Sequence, residues 1–146
     1  MQEHFTLKNS IFLVVGKEEL DLHNNYDFVG FDYSIANRFL VLQWIRKAGD
    51  WIPLDSPTEV KLEFHNVTRF EFHPRDPEMP FSEDNCLWEA GYWRDAGWPD
   101  DVTFGLESGV FCAGTEPEED WLRAFQFHSG AIVLVGAIEA HAKTKG

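Results

Sequence analysis

Apolar and polar residues alternate with a period of two along much of the chain, and the clearest case is "LEFHNVTRFEFHP", residues 62 to 74. Leu62-Glu63-Phe64-His65 and Phe70-Glu71-Phe72-His73 share one pattern, and Phe125-Gln126-Phe127-His128 repeats it near the C-terminus. In each copy the apolar first and third residues point one way and the polar second and fourth the other, as on a half-buried strand. The three histidines then sit on solvated faces.

The first two copies can pair as a hairpin about the odd turn Asn66-Val67-Thr68, with His65 opposite Arg69 and His73 opposite Lys61. The histidines are then four ladder steps apart, roughly 13 Å at about 3.3 Å per residue. Two imidazoles that far apart cannot share a zinc ion, because Zn–N bonds are about 2 Å. If the stretch is one long bent strand they lie farther apart still. No metal site and no cofactor are expected from His65, His73, His128, Glu63 and Glu71.

The same logic organises the rest of the chain. "YDFVGFDYSIANRFLVLQWIRK" reads as a hairpin about "SIANR", with Val29, Phe31, Tyr33 and Ile35 alternating on the first arm and Phe39 to Ile45 apolar enough for burial on both faces. Gly49, Pro53 and Pro57 make residues 49 to 58 a loop, and Pro74, Pro77 and Pro80 make the segment after His73 a surface crossing. "CLWEAGYWR" resumes a strand, "DAGWPDD" turns, and "VTFGLESGVFC" suits either a strand pair or a short helix. Thr115 followed by Glu118, with Pro117 between them, is a capping-box start and predicts one short helix near 116 to 122.

The chain closes with "RAFQFHSGAIVLVGAIEAHA", read as a hairpin turning at Ser129-Gly130. A two-residue turn sets His128 opposite Ala131, Gln126 opposite Val133, Phe127 opposite Ile132 and Phe125 opposite Leu134. Both faces are apolar, which suits a central strand pair or a homodimer interface. These elements predict a single domain over residues 1 to 146: a mainly antiparallel β sandwich or partly closed barrel of seven to nine strands with one short helix.

Composition agrees and narrows the function. The 146 residues are 44% hydrophobic and 15% aromatic, with Phe 13 and Trp 6, enough for one core and rich in rings that pack on sheets. The formal net charge of -13 repels phosphate backbones and anionic lipid, so no nucleic-acid or membrane partner is expected, whereas a basic protein would be steered toward it. Cys86 and Cys112 show no CxxC spacing and read as reduced. The apolar run Ile11 to Val15 is too short for a signal segment or a membrane span, which makes a cytoplasmic location the expectation.

Chemistry is sparse. The carboxylate pairs Glu83-Asp84, Asp100-Asp101 and Glu118-Glu119-Asp120 are adjacent in sequence, which does not provide two carboxyl groups facing one cleft. There is no GxSxG elbow, P-loop or HExxH, and only the near-neutral titration of imidazole keeps His65 or His128 in view as a general base. The reading leans against an enzyme. "WEAGYWRDAGW", residues 88 to 98, gathers Trp88, Tyr92, Trp93 and Trp98, residue types that form protein hot spots or sugar-stacking platforms when they are not core. The candidate binding residues are therefore Tyr92, Trp93 and Trp98 with the acidic Glu118, Glu119 and Asp120. A small-molecule or carbohydrate-binding β domain using the Trp88 to Trp98 stretch is the alternative.

Leu62, Phe64 and Val67, followed by Phe125, Phe127, Ser129, Gly130, Ile132 and Leu134, resemble a loose group of small, acidic, bacterial single-domain proteins of uncharacterised or toxin-immunity type. Gly136 stands where that group has a small alanine, with Ala137 one place beyond. The resemblance implies an immunity-like role, neutralising a partner by binding, and it brings over no catalytic residue.

Overall fold

A computed structural model describes residues 1 to 95, 109 to 112, 118 and 120 to 146. Nearly all of their regular secondary structure is strand. The main sheet runs in the order β5 (Tyr26–Ser34), β6 (Phe39–Arg46), β7 (Glu59–His73), β11 (Ile132–Lys145), β10 (Leu122–Phe127), β8 (Leu87–Asp95) and β9 (Gly109–Cys112). A short β1 (Gln2–Glu3) adds in parallel to β11, and every other pairing is antiparallel. A second, small sheet is built from β2 (Thr6–Lys8), β3 (Phe12–Val15) and β4 (Glu18–Asp21). Those N-terminal strands are not announced by any alternation in the sequence.

The main sheet curls into a half-barrel. Its edge strand β5 meets the far half of the sheet, where Phe28 N donates to Asn85 O at 2.8 Å and the Phe28 ring lies 4.5 Å from that of Phe127. Inside the curl, Tyr26, Leu40, Leu42, Trp44, Val60, Leu62, Phe64, Phe125 and Val133 form one apolar core. Leu13 and Leu20 of the small sheet reach into the same core, so the small sheet packs over it.

Residues 59 to 73 form one bent strand and not a hairpin, which corrects the pairing of His65 with Arg69. The bend has a visible origin. Asn66 adopts φ 56°, a left-handed conformation that asparagine tolerates better than most residues, and Thr68 is an extra residue opposite the Gly136–Ala137 step of β11. Each irregularity flips the facing of the strand by one residue. Leu62 and Phe64 face the core, then Val67, and then Phe70 again packs against it.

The closing hairpin also departs from its expected register. Phe125 pairs with Val133 and Gln126 with Ile132, one residue away from the two-residue-turn alignment. Phe127 N donates to Ala131 O and Gly130 N to Phe127 O, so the loop is the three residues His128-Ser129-Gly130, with Gly130 at φ 87°. A three-residue loop with a left-handed glycine is the next commonest solution after the two-residue turn. Both faces of the pair are buried, as the pattern predicts. Phe125, Phe127 and Val133 face the main core, and Ala124, Ile132 and Leu134 form a second cluster with Trp93 and Leu122.

Burial on β6 alternates. Leu40, Leu42 and Trp44 are buried while Phe39, Val41 and Gln43 are half-buried and Ile45 is exposed, so this arm is covered on one face and not on two. The loop at 49 to 58, the crossing after His73 and the strand after Cys86 lie where the sequence puts them. Of the predicted helix near 116 to 122, residues 116, 117 and 119 lie outside the described residues, and Leu122 already opens β10. The turn "DAGWPDD" beyond Asp95 and most of "VTFGLESGVFC" lie outside them too, and the end of that segment is strand β9. Helical structure among the described residues is a single 3-10 turn, Phe81–Glu83, and no described helix is long and apolar enough to cross a membrane.

Candidate functional site

Two of the aromatic residues expected to contact a partner, Tyr92 and Trp93, are engaged within the fold. Tyr92 and Trp93 point to opposite faces of β8. The Tyr92 hydroxyl donates to Glu3 Oε1 at 2.6 Å and accepts from Arg123 Nη2 at 2.7 Å, while the Arg123 guanidinium lies 3.9 Å from the ring centroid. Trp93 is only 6% exposed, within the second apolar cluster. Glu118 and Asp120 are exposed, and Trp98 and Glu119 lie outside the described residues. Among the described residues of this set, Tyr92 and Trp93 face away from each other across β8.

The structure brings histidines together instead. His23 follows β4, Cys86 precedes β8 and His128 occupies the β10–β11 loop, three places far apart in sequence. The curl of the sheet closes them into a cluster in which one ligand atom from each lies within 4.8 Å of the other two. Backbone bonds pin the arrangement: His128 N donates to Cys86 O at 2.9 Å, Ser129 N to Glu83 O at 3.2 Å, and His23 N to the Asp21 carboxylate at 3.0 Å. The two imidazoles stack with centroids 5.4 Å apart, and Trp88 stands edge-on to both, 4.5 Å from His128 and 6.4 Å from His23.

The hydrogen bonds around the cluster fix its electronic character. His23 Nδ1 faces Leu87 O, a carbonyl that can only accept, so the proton sits on Nδ1 and the lone pair on Nε2. His128 Nδ1 faces Glu83 Oε2 at 3.4 Å, and the same reasoning leaves its lone pair on Nε2. That Nε2 is buried and has no hydrogen-bond partner, a state that costs about 1–3 kcal/mol in an otherwise satisfied interior. Cys86 Sγ lies 3.7 Å from His23 Nδ1. Burial pushes the thiol pKa up, Lys47 offsets part of this, and Glu83 and Asp27 add to the rise. A half-buried thiol with a raised pKa, beside an imidazole whose near nitrogen is already engaged, is a poor nucleophile.

A second group lies on β11 and the N-terminal segment. His4 and His141 stack at 4.3 Å with an interplanar angle of 4°, and both Nε2 atoms face the same oxygen, Glu139 Oε1. His65, paired across the ladder with Glu139, adds an edge-on ring 5.4 Å from His141. Glu139 has its pKa lowered, first by the hydrogen bond from His141.

The outward-facing reading of the histidines thus holds for His65, which is 41% exposed, whereas His128 turns into a cluster. The sequence offers no spacing to announce it. His23 stands in "DLHNN" with no neighbouring ligand, and His128 looks like an ordinary loop residue. Only the long-range closure of the sheet joins them to Cys86.

Comparison of the chain with protein-family models, with curated proteins and with solved structures finds no match.

Proposed function

We propose that the protein works by binding, as a module that recognises a basic partner protein, with an immunity-like inhibitor as its most concrete form. One observation supports this above others. Two aromatic side chains, Phe81 at 82% exposed and Trp88 at 51%, stand out of the fold beside the acidic residues Glu83, Asp84 and Glu89. Contacts link the two rings to Glu83 and Asp84: Arg75 joins Phe81 to Asp84, and His128 joins Glu83 to Trp88. Exposed tryptophan with carboxylates around it is the chemistry of an interface anchor, and the charge of -13 steers a basic protein toward it.

This moves the contact surface away from Tyr92, whose hydroxyl is bonded to Glu3 and Arg123, and from Trp93, whose ring is buried. It also moves it away from the closing hairpin. The apolar residues that suggested a homodimer there, Ile132 and Leu134 among them, are buried within one chain. The exposed Trp88 indole also suits the alternative, a sugar-binding domain, although among the described residues of that stretch Trp93 is turned inward.

The test is capture of basic proteins on the immobilised chain at low and high salt, compared with Trp88→Ala and Phe81→Ala. The expected result is a basic partner retained at low salt, released at high salt, and lost by roughly tenfold or more with Trp88→Ala. Retention insensitive to both salt and Trp88→Ala overturns the reading. A Trp88 fluorescence shift on adding glycans, with no basic protein captured, replaces it with the alternative.

A further inference from the structure

The geometry points to a transition-metal site at His23, Cys86 and His128, taking a cation of borderline or soft character, Zn²⁺ in the first instance. Nothing in the partner-binding reading requires it. Three neutral or anionic donors of the N, N, S type suit such ions, and hard cations such as Mg²⁺ and Ca²⁺ prefer all-oxygen shells.

The distances fit. Zn–N bonds of about 2.0–2.1 Å and Zn–S bonds of about 2.3 Å put neighbouring ligand atoms of a tetrahedron roughly 3.3 to 3.8 Å apart. With His23 Nδ1 given to Leu87 O, the donors are the Nε2 atoms of the two histidines and Cys86 Sγ; one ligand atom of each residue already lies within 4.8 Å of the other two, and side-chain rotation closes the remaining gap. The cluster is half-buried, which leaves an approach for the ion.

The surrounding bonds are those of a ligating histidine pair. A metal-bound imidazole donates its other N–H to a carboxylate or a backbone carbonyl, which orients the ring and strengthens the donor nitrogen. Here Glu83 takes that place for His128 and Leu87 O for His23. The clearest sign is His128 Nε2, buried with a lone pair and no partner. An ion between the rings and the sulfur is the partner it lacks. The other candidate, His4, Glu139 and His141, has no such vacancy, because both imidazole Nε2 atoms are already engaged by Glu139 Oε1.

The experiment uses the full chain, freed of metal, with Zn²⁺ followed by calorimetry and Co²⁺ by absorption. One Zn²⁺ per chain is expected, and Co²⁺ should give a sulfur-to-cobalt charge-transfer band with the intense visible bands of a tetrahedral site. Cys86→Ser should abolish the band and weaken Zn²⁺ at least about 100-fold, and Glu83→Gln, which leaves all three ligands in place, should weaken it about 10- to 100-fold. His65→Ala should change neither. Should the variants fail to fold, wild-type protein still decides: Zn²⁺ should slow alkylation of Cys86, mapped by mass spectrometry. Absence of Zn²⁺ binding, binding that survives Cys86→Ser but is lost in His141→Ala, a Co²⁺ complex without the sulfur band, or no protection of Cys86 would each overturn the proposal.

Discussion

Arg123 grips Glu3 with two parallel bonds, Nη2 to Oε1 at 2.6 Å and Nε to Oε2 at 2.8 Å, and so ties the first strand of the chain to the middle of the main sheet. The guanidinium is 5% exposed and the carboxylate 15%. Two further donors are used, Nη1 on Gly91 O at 3.2 Å and Nη2 also on the Tyr92 hydroxyl. Removing one member of a buried pair leaves the other charged and unpaired. Arg123→Met is therefore expected to lower unfolding stability by about 3–5 kcal/mol in denaturant titrations. The double variant Glu3→Gln with Arg123→Met should recover part of that loss, and a double variant worse than the single one would show that the pair is not acting as a charge pair.

Glu139 gives the N-terminal segment a dependence on pH. Its carboxyl pKa is lowered, first by the hydrogen bond from His141 and then by the charges of His141, His4 and His65, with burial working in the opposite direction. A carboxylate with a depressed folded pKa stabilises the fold above its unfolded value, and that contribution disappears as pH falls through the folded one. The expectation is that stability drops on acidification from about pH 5 downward, and that Glu139→Gln, already lacking the contribution at neutral pH, drops less. Equal slopes for the two proteins in this acid window would refute it.

The Cys86 thiol should react slowly. Burial raises its pKa, so the thiolate fraction at neutral pH is smaller than for a free cysteine. Metal-free protein is expected to alkylate at Cys86 with a rate that climbs only at alkaline pH, above the usual thiol range near 8.5, as read by mass spectrometry of the modified peptide. Substituting Lys47 by Met, which removes the one attractive charge acting on the thiol, should slow it further. A Cys86 rate at pH 7 above that of a small-molecule thiol would contradict this.

What the alternation made legible was each stretch where one face is buried and the other wet. The first arm of the 26 to 46 hairpin declares itself by period two, whereas 39 to 46 and 122 to 127 are legible from their apolar density, the latter buried on both faces. Facing was harder to read than strand content. Nothing in "HNVTR" shows that Asn66 turns left-handed and that Thr68 is skipped, yet those two residues decide which way Val67 and Phe70 point. The hairpin register was lost for the same reason, since Gly130 serves a two-residue or a three-residue loop equally well. The cluster at His23, Cys86 and His128 was out of reach on different grounds: side chains brought together by sheet curvature share no spacing. The bond from the Tyr92 hydroxyl to Glu3 was equally out of reach, because the two residues come from opposite parts of the chain and share no spacing.

The bend in β7 offers the sharpest check on the fold itself. With φ at 56°, Asn66 carries little strain, a glycine there carries none, and a β-branched residue is opposed by its own Cβ. Asn66→Gly should therefore leave stability unchanged within about 0.5 kcal/mol, whereas Asn66→Val should cost about 1–2 kcal/mol. Part of that loss is conformational and part is the contact in which Arg38 Nη2 donates to Asn66 Oδ1 at 3.4 Å. Deleting Thr68 is the harsher test, because without the extra residue the strand beyond it reverses its faces and sends Phe70 away from Val135, its partner on β11. The expected outcome is a protein that loses its cooperative thermal transition. Native-like melting after that deletion would mean the strand tolerates either facing, and the bend would then be an accident of local geometry and not the element that aims the second half of β7 at the core.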